Sequence, residues 1–191
     1  MSEFDRRHAN HSDAGTAPAA APAAATIRAP QPTYELAMDA RPNAVVVYCS
    51  DPRFQAAFEQ FIAKELHLAR GAFVPIVIAG GGGALARPHE LPKEFKFMKD
   101  RLELAREYFP LIKRVVLITH EDCRYYESIK GKILGLIGAH FANAISPRED
   151  LPAVAGVFRH LLADLGLSVE LYYAKFADEG HTRVTFEKLS A

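Results

Sequence analysis

Hydrophobic positions along this chain alternate between short unbroken runs and longer stretches in which they recur every three or four residues. Val45-Val46-Val47-Tyr48 is a run that ends in Cys49-Ser50-Asp51-Pro52-Arg53, and Val115-Val116-Leu117-Ile118-Thr119 is a second that ends in His120-Glu121-Asp122-Cys123. Continuous β-branched runs of this kind predict central strands of a parallel sheet, buried on both faces. After the first run, Phe54, Ala57, Phe58, Phe61, Ile62 and Leu66 make one apolar helical face. They predict a helix with Pro52 at its first position and Ser50 or Asp51 as its cap, ending near Gly71. Residues 72–79 predict a strand, with Pro75 marking a sheet edge or an early irregularity, and it runs into Gly80-Gly81-Gly82-Gly83.

Leu91 to Phe109 predicts a helix with Phe95, Met98, Leu102 and Ala105 on one side, closed by Pro110. Tyr125 to Phe141 predicts another, apolar at Ile129, Ile133, Leu136 and Ile137 with His140 on the same side. A last helix, capped by Ser146 or Asp150, carries Val154, Val157, Leu161 and Leu165 and stops at Gly166. Val169 to Phe176 and Thr182 to Leu189 predict a hairpin with Gly180 in its turn. The alternation predicts an α/β fold: a mostly parallel central sheet with an antiparallel C-terminal edge strand and helices on both faces.

The first 32 residues break the pattern. Their start is charged, and Gly15 to Pro32 is rich in alanine and proline, so they predict a disordered arm, flexible or folded over a partner subunit. Residues 33–191 predict a single α/β domain, which suits a chain of 191 residues with 49% hydrophobic content. Tyr34 to Asn43 predicts no definite element. Lys+Arg 23 balances Asp+Glu 23, so net charge favours neither nucleic acid nor an anionic membrane as partner. Met1 to Ala14 lacks an apolar targeting core, and no run approaches the ~20 apolar residues of a membrane span. Two cysteines make no disulfide framework. The expectation is a soluble, cytoplasmic protein.

In an open α/β sheet, ligands bind beyond the carboxyl ends of the strands. The two central strands deliver Cys49, Asp51, Arg53, His120 and Cys123 to that edge. Zinc accepts thiolate and imidazole ligands, and a Cys2His set leaves the fourth position open, as a catalytic site requires. The competing reading is two buried free thiols. A carboxylate at Asp51, held ionised by Arg53, would either orient a zinc-bound hydroxide towards an electrophile or fill the open position itself. Alternatively, Asp51 caps the helix and pairs with Arg53 on the surface. Gly81-x-Gly83-x-x-Ala86 formally matches a dinucleotide fingerprint, but Arg87-Pro88 follows where a helix should run, and a tight loop beside the metal is the better use of the glycines. His67, His89, His140, His160 and His181 have no nameable partners and read as structural or exposed.

Cys49-Ser50-Asp51-Pro52-Arg53 followed by His120-Glu121-Asp122-Cys123 resembles the paired Cys-x-Asp-x-Arg and His-x-x-Cys motifs of the β-class carbonic anhydrases. Ala79-Gly80 resembles that family's Asn-Ala-Gly segment, and the likeness spans roughly residues 43–189. The pattern departs from the family at Pro52, Ile78, Thr119, Arg124 and Tyr125, the last three where glycines are usual. The resemblance implies zinc held by Cys49, His120 and Cys123, an Asp51–Arg53 catalytic dyad, and hydration of carbon dioxide to bicarbonate through a zinc-bound hydroxide. It also implies a homodimer or higher homo-oligomer. The alternatives are a non-catalytic zinc-stabilised scaffold of the same fold, or a related hydrolase acting on carbon disulfide or carbonyl sulfide.

Overall fold

The computed structural model describes residues 33–86, 89, 92–128, 130, 146–161 and 165–190. The predicted arm over residues 1–32, His140, and most of the helix expected over Tyr125 to Phe141 lie outside the described residues. In chain order the elements are β1 (Ala44–Cys49), α1 (Gln55–Lys64), β2 (Phe73–Ile78), a 3-10 helix (Gly81–Ala86), α2 (Pro92–Tyr108) and β3 (Arg114–His120). A helix α3 follows, described over 124–128, then α4 (Pro147–Leu161), β4 (Ser168–Phe176) and β5 (Val184–Leu189). The strands form one sheet in the order β2-β1-β3-β4-β5. All neighbours are parallel except β4 and β5, which pair antiparallel from Leu171↔Leu189 to Phe176↔Val184. The expected α/β architecture with an antiparallel C-terminal edge is present, and Pro75 lies on the edge strand β2.

Both faces of the sheet are covered, which is why β1 and β3 read as unbroken apolar runs. On one face Val46, Tyr48, Val116 and Ile118 pack against Phe54, Phe58, Phe61 and Ile62 of α1 and its approach. On the other, Val45, Val47, Val115 and Leu117 pack against Met98 and Leu102 of α2 and Leu151 and Val154 of α4. The two-residue period of the strands divides these sets. Burial of each large side chain, Phe58 and Leu117 among them, contributes about 1.5–3 kcal/mol. Among the described residues no helix is long and apolar enough to cross a membrane.

Three expectations about α1 need correction. Pro52 does not open the helix: residues 52–54 form a turn, closed by Phe54 N–H donating to the Asp51 carbonyl at 3.2 Å, and α1 begins at Gln55. Neither Ser50 nor Asp51 caps it, because the N-cap is Phe54 and no side chain bonds there. Nor does the helix reach Gly71. It stops at Lys64, where the Leu66 and Leu68 amides fold back on Phe61 and Ile62 and His67 takes a left-handed backbone, φ 53°. At α4 it is Ser146, not Asp150, that caps, its Oγ accepting from Glu149 N–H at 3.1 Å.

Candidate metal centre

β1 and β3 are neighbours in the middle of the sheet, and both end at its carboxyl edge, so Cys49 and His120 arrive side by side. The turn after β3 passes through Asp122, whose positive φ of 53° returns the chain and brings Cys123 back beside them. The Sγ atoms of Cys49 and Cys123 stand 3.8 Å apart. With a His120 ring nitrogen they form a group whose ligand atoms all lie within 4.8 Å of one another, and all three residues are buried. Asp51 is not one of this group.

The imidazole is set for coordination. Its Nδ1–H donates to the Glu121 carbonyl at 2.7 Å, which leaves a lone pair on Nε2. That Nε2 is buried and has no hydrogen-bond partner. An orphaned buried acceptor costs free energy unless something fills it, and a metal ion between two sulfurs is what such a donor set takes. The Phe54 ring packs on His120 at 4.0 Å between centroids and fixes its plane.

The thiols are unequal. Cys49 is pushed down, towards the thiolate, first by the Cys123 thiol donating to it; burial opposes this, and the backbone N–H groups of Asp51 and Gly80 add to the lowering. Cys123 is pushed up, because its thiol keeps its proton and donates a hydrogen bond to Cys49 and because it is buried. The pair shares one proton, which a metal would displace.

Asp51 and Arg53 make the second half of the site. Arg53 Nε and Nη2 donate to the two carboxylate oxygens, at 3.1 and 2.8 Å, and its backbone N–H donates to Oδ1 at 3.0 Å. These bonds hold the Asp51 carboxyl below the usual range against a smaller opposing effect of burial. The same guanidinium reaches across to the loop after β3, Nη1 to Asp122 Oδ2 at 2.7 Å and Nη2 to the Asp122 carbonyl at 2.9 Å. Gln55 Nε2 donates to the carbonyls of Cys49 and Asp51, both at 2.8 Å, and fixes the loop from the α1 side. Asp122 and Gln55 escape a reading of sequence, since each acts through a contact that only the fold creates.

The glycine run lies against this edge, as expected of a tight loop. Gly80 N–H donates to Cys49 Sγ at 3.3 Å. Gly80 has φ 78°, and a Cβ there would overlap the Tyr125 ring. Gly81 is less forgiving: at φ 59° its Cβ would lie 2.6 Å from the Ile118 carbonyl oxygen, a backbone atom that cannot swing aside. Gly81→Ala is expected to cost about 2–4 kcal/mol, combining left-handed strain with overpacking. The melting temperature read by circular dichroism should then fall by about 5–15 °C; an unchanged melt would refute this account of the loop.

A cavity of about 420 Å³ opens beside the group, lined among others by Cys49, Asp51, Arg53, Cys123, Arg124 and Tyr125. His120 lies behind it, fully buried. A larger depression of about 550 Å³ on the far side of Arg53 carries Lys64, His181 and Arg183 but none of the three candidate ligands.

No protein-family model matches the sequence, and none of the curated proteins does. Solved structures match by fold. A carbonic anhydrase from Streptococcus mutans superposes with a TM-score of 0.51 at 13% identity, over 83% of this chain and 88% of that one. A β-carbonic anhydrase from Trichomonas vaginalis gives 0.46 at 16% identity over 81% and 87%, and a carbonic anhydrase from Glaciozyma antarctica 0.47 at 16% over 76% and 83%. The sheet order, the antiparallel edge and the first of these superpositions agree: the chain has a β-carbonic anhydrase-like fold, carried by a sequence far diverged from the solved examples.

Proposed function

We propose that this protein is a zinc enzyme that hydrates carbon dioxide to bicarbonate. The observation that carries the reading is the unpartnered Nε2 of His120 facing two sulfurs, with an arginine-held carboxylate at the same edge. Cys49, His120 and Cys123 would hold the ion. Zinc bound there supplies Lewis acidity that brings the ionisation of water down to ~7.

The chain's own residues do the rest. Gly80 N–H supports the Cys49 sulfur as a thiolate, and the Glu121 carbonyl keeps the His120 lone pair on Nε2. Asp51, ionised beside Arg53, accepts a hydrogen bond from the attacking water oxygen and turns its lone pair towards the carbon of carbon dioxide. Because Arg53 occupies both carboxylate oxygens, Asp51 orients and does not take the proton, which leaves through the cavity to buffer. Arg53 also keeps Asp51 out of the ligand group, so three protein ligands leave one position for chemistry.

We place the enzyme in a homodimer or larger assembly of this chain. Phe97, Leu104, Tyr108, Phe109 and Leu111 remain exposed on and just after α2, an apolar surface of the kind a partner covers. Both thiols are free, which suits the reducing cytoplasm, and cell fractionation reads that assignment. The deciding experiment uses zinc-loaded protein taken from a sizing column, whose elution reads the assembly. Elemental analysis should give stoichiometric zinc, and stopped-flow assay should show hydration above buffer. No activity at any pH from about 6.5 to 9 would sink the proposal.

A further inference from the structure

In a parallel ladder, a residue that donates its N–H to the carbonyl of residue n receives, on its own carbonyl, the N–H of residue n+2. The β3–β4 pairing runs in this way from Arg114↔Ser168 to His120↔Ala174. Glu121 begins the next step: its N–H donates to the Ala174 carbonyl at 2.8 Å. Its carbonyl should then receive Phe176 N–H, but it does not. Phe176 N–H goes instead to the Glu121 side chain, at 2.9 Å to Oε2, and the Glu121 carbonyl receives His120 Nδ1–H at 2.7 Å.

We propose that Glu121 is a positioning residue whose carboxylate replaces its own carbonyl in the β3–β4 ladder, and so frees that carbonyl to hold the His120 ring. Three bonds pass through this one residue. Two of them, from the backbone N–H and the carboxylate, anchor it to β4; the third points the ring. Without the carboxylate, Phe176 N–H at the end of β4 would compete for the carbonyl that His120 needs. A carbonyl drawn into the ladder would loosen the imidazole and let its proton move to Nε2, the atom that must carry the lone pair. The inference rests on reading His120 as a metal ligand, but the ring's tautomer can be observed without metal.

The informative variants are Glu121→Met, which keeps length and loses the acceptor, and Glu121→Gln, which keeps an amide oxygen for Phe176. Zinc affinity is measured by competition with a chromophoric chelator, and the tautomer by the ring nitrogen resonances of His120 in metal-free protein. Glu121→Met should weaken zinc binding roughly 10–100-fold, the range for losing an outer partner of a ligating histidine, and convert a single Nδ1–H tautomer into a mixture. Glu121→Gln should restore both readings. A purely structural side chain would lower the melting temperature in Glu121→Met and leave the tautomer unchanged, which would overturn the proposal; so would Glu121→Gln failing as badly as Glu121→Met. Should Glu121→Met not fold, the wild-type protein still decides: a coupling across the hydrogen bond between Phe176 nitrogen and the Glu121 carboxyl carbon supports the clamp, and its absence refutes it. If wild-type protein binds no zinc at all, the metal reading falls, while tautomer and coupling still test the clamp.

Discussion

His120→Ala is expected to empty the metal centre. Its Nε2 is buried with no hydrogen-bond partner, and its ring belongs to the same close group as the two sulfurs. Loss of one of the three proposed ligands should weaken zinc by more than the ~100-fold that marks the upper range for an outer partner, and hydration should vanish with the metal. The imidazole also fills space under Phe54 and Phe58, so alanine leaves a void and lowers stability by about 2–4 kcal/mol. His120→Asn, with more of the volume and no equivalent lone pair, separates the two effects. If either variant keeps stoichiometric zinc after dialysis against chelator, His120 is not a ligand.

Asp51→Ala should give the opposite pattern, zinc retained and chemistry lost. The carboxylate belongs to the same edge but not to the ligand group, so its removal leaves the sulfurs and imidazole in place. Hydration should fall roughly 100-fold or more, the penalty for a nucleophile no longer held in line. Arg53 would then lose its Asp51 bonds but keep those to Asp122, so the loops stay together and the loss reports on orientation. A non-catalytic scaffold, with Arg124 and Tyr125 lining the cavity to shelter a structural ion, predicts full zinc and no rate to lose. Zinc content and stopped-flow rates measured on one preparation tell these apart.

The α/β architecture is plain in the sequence because burial on both faces leaves β1 and β3 unbroken apolar runs, whereas the order of the strands comes only with the fold. Cys49 and His120 were legible for the same reason: each is the last residue of such a run. The beginning of α1 was not, since of the two expected caps, Ser50 and Asp51, the second gives its carboxylate to Arg53, which the Asp122 loop holds in place. Its end was hidden too, because the folding back of the Leu66 and Leu68 amides leaves no mark in composition. The exchange of partners at Glu121 is equally silent, being a matter of which of two acceptors a strand-end amide finds.

The cross-loop reach of Arg53 bears on how the ion would arrive. One guanidinium joins positions 69 residues apart, tying the segment after β1 to the segment after β3. The conformational entropy of bringing the two sulfur-bearing segments together is thereby lost during folding rather than on binding. On the proposed function, an incoming ion would meet ligands already gathered, and its capture would be governed by shedding its own hydration shell, not by a search through loop conformations.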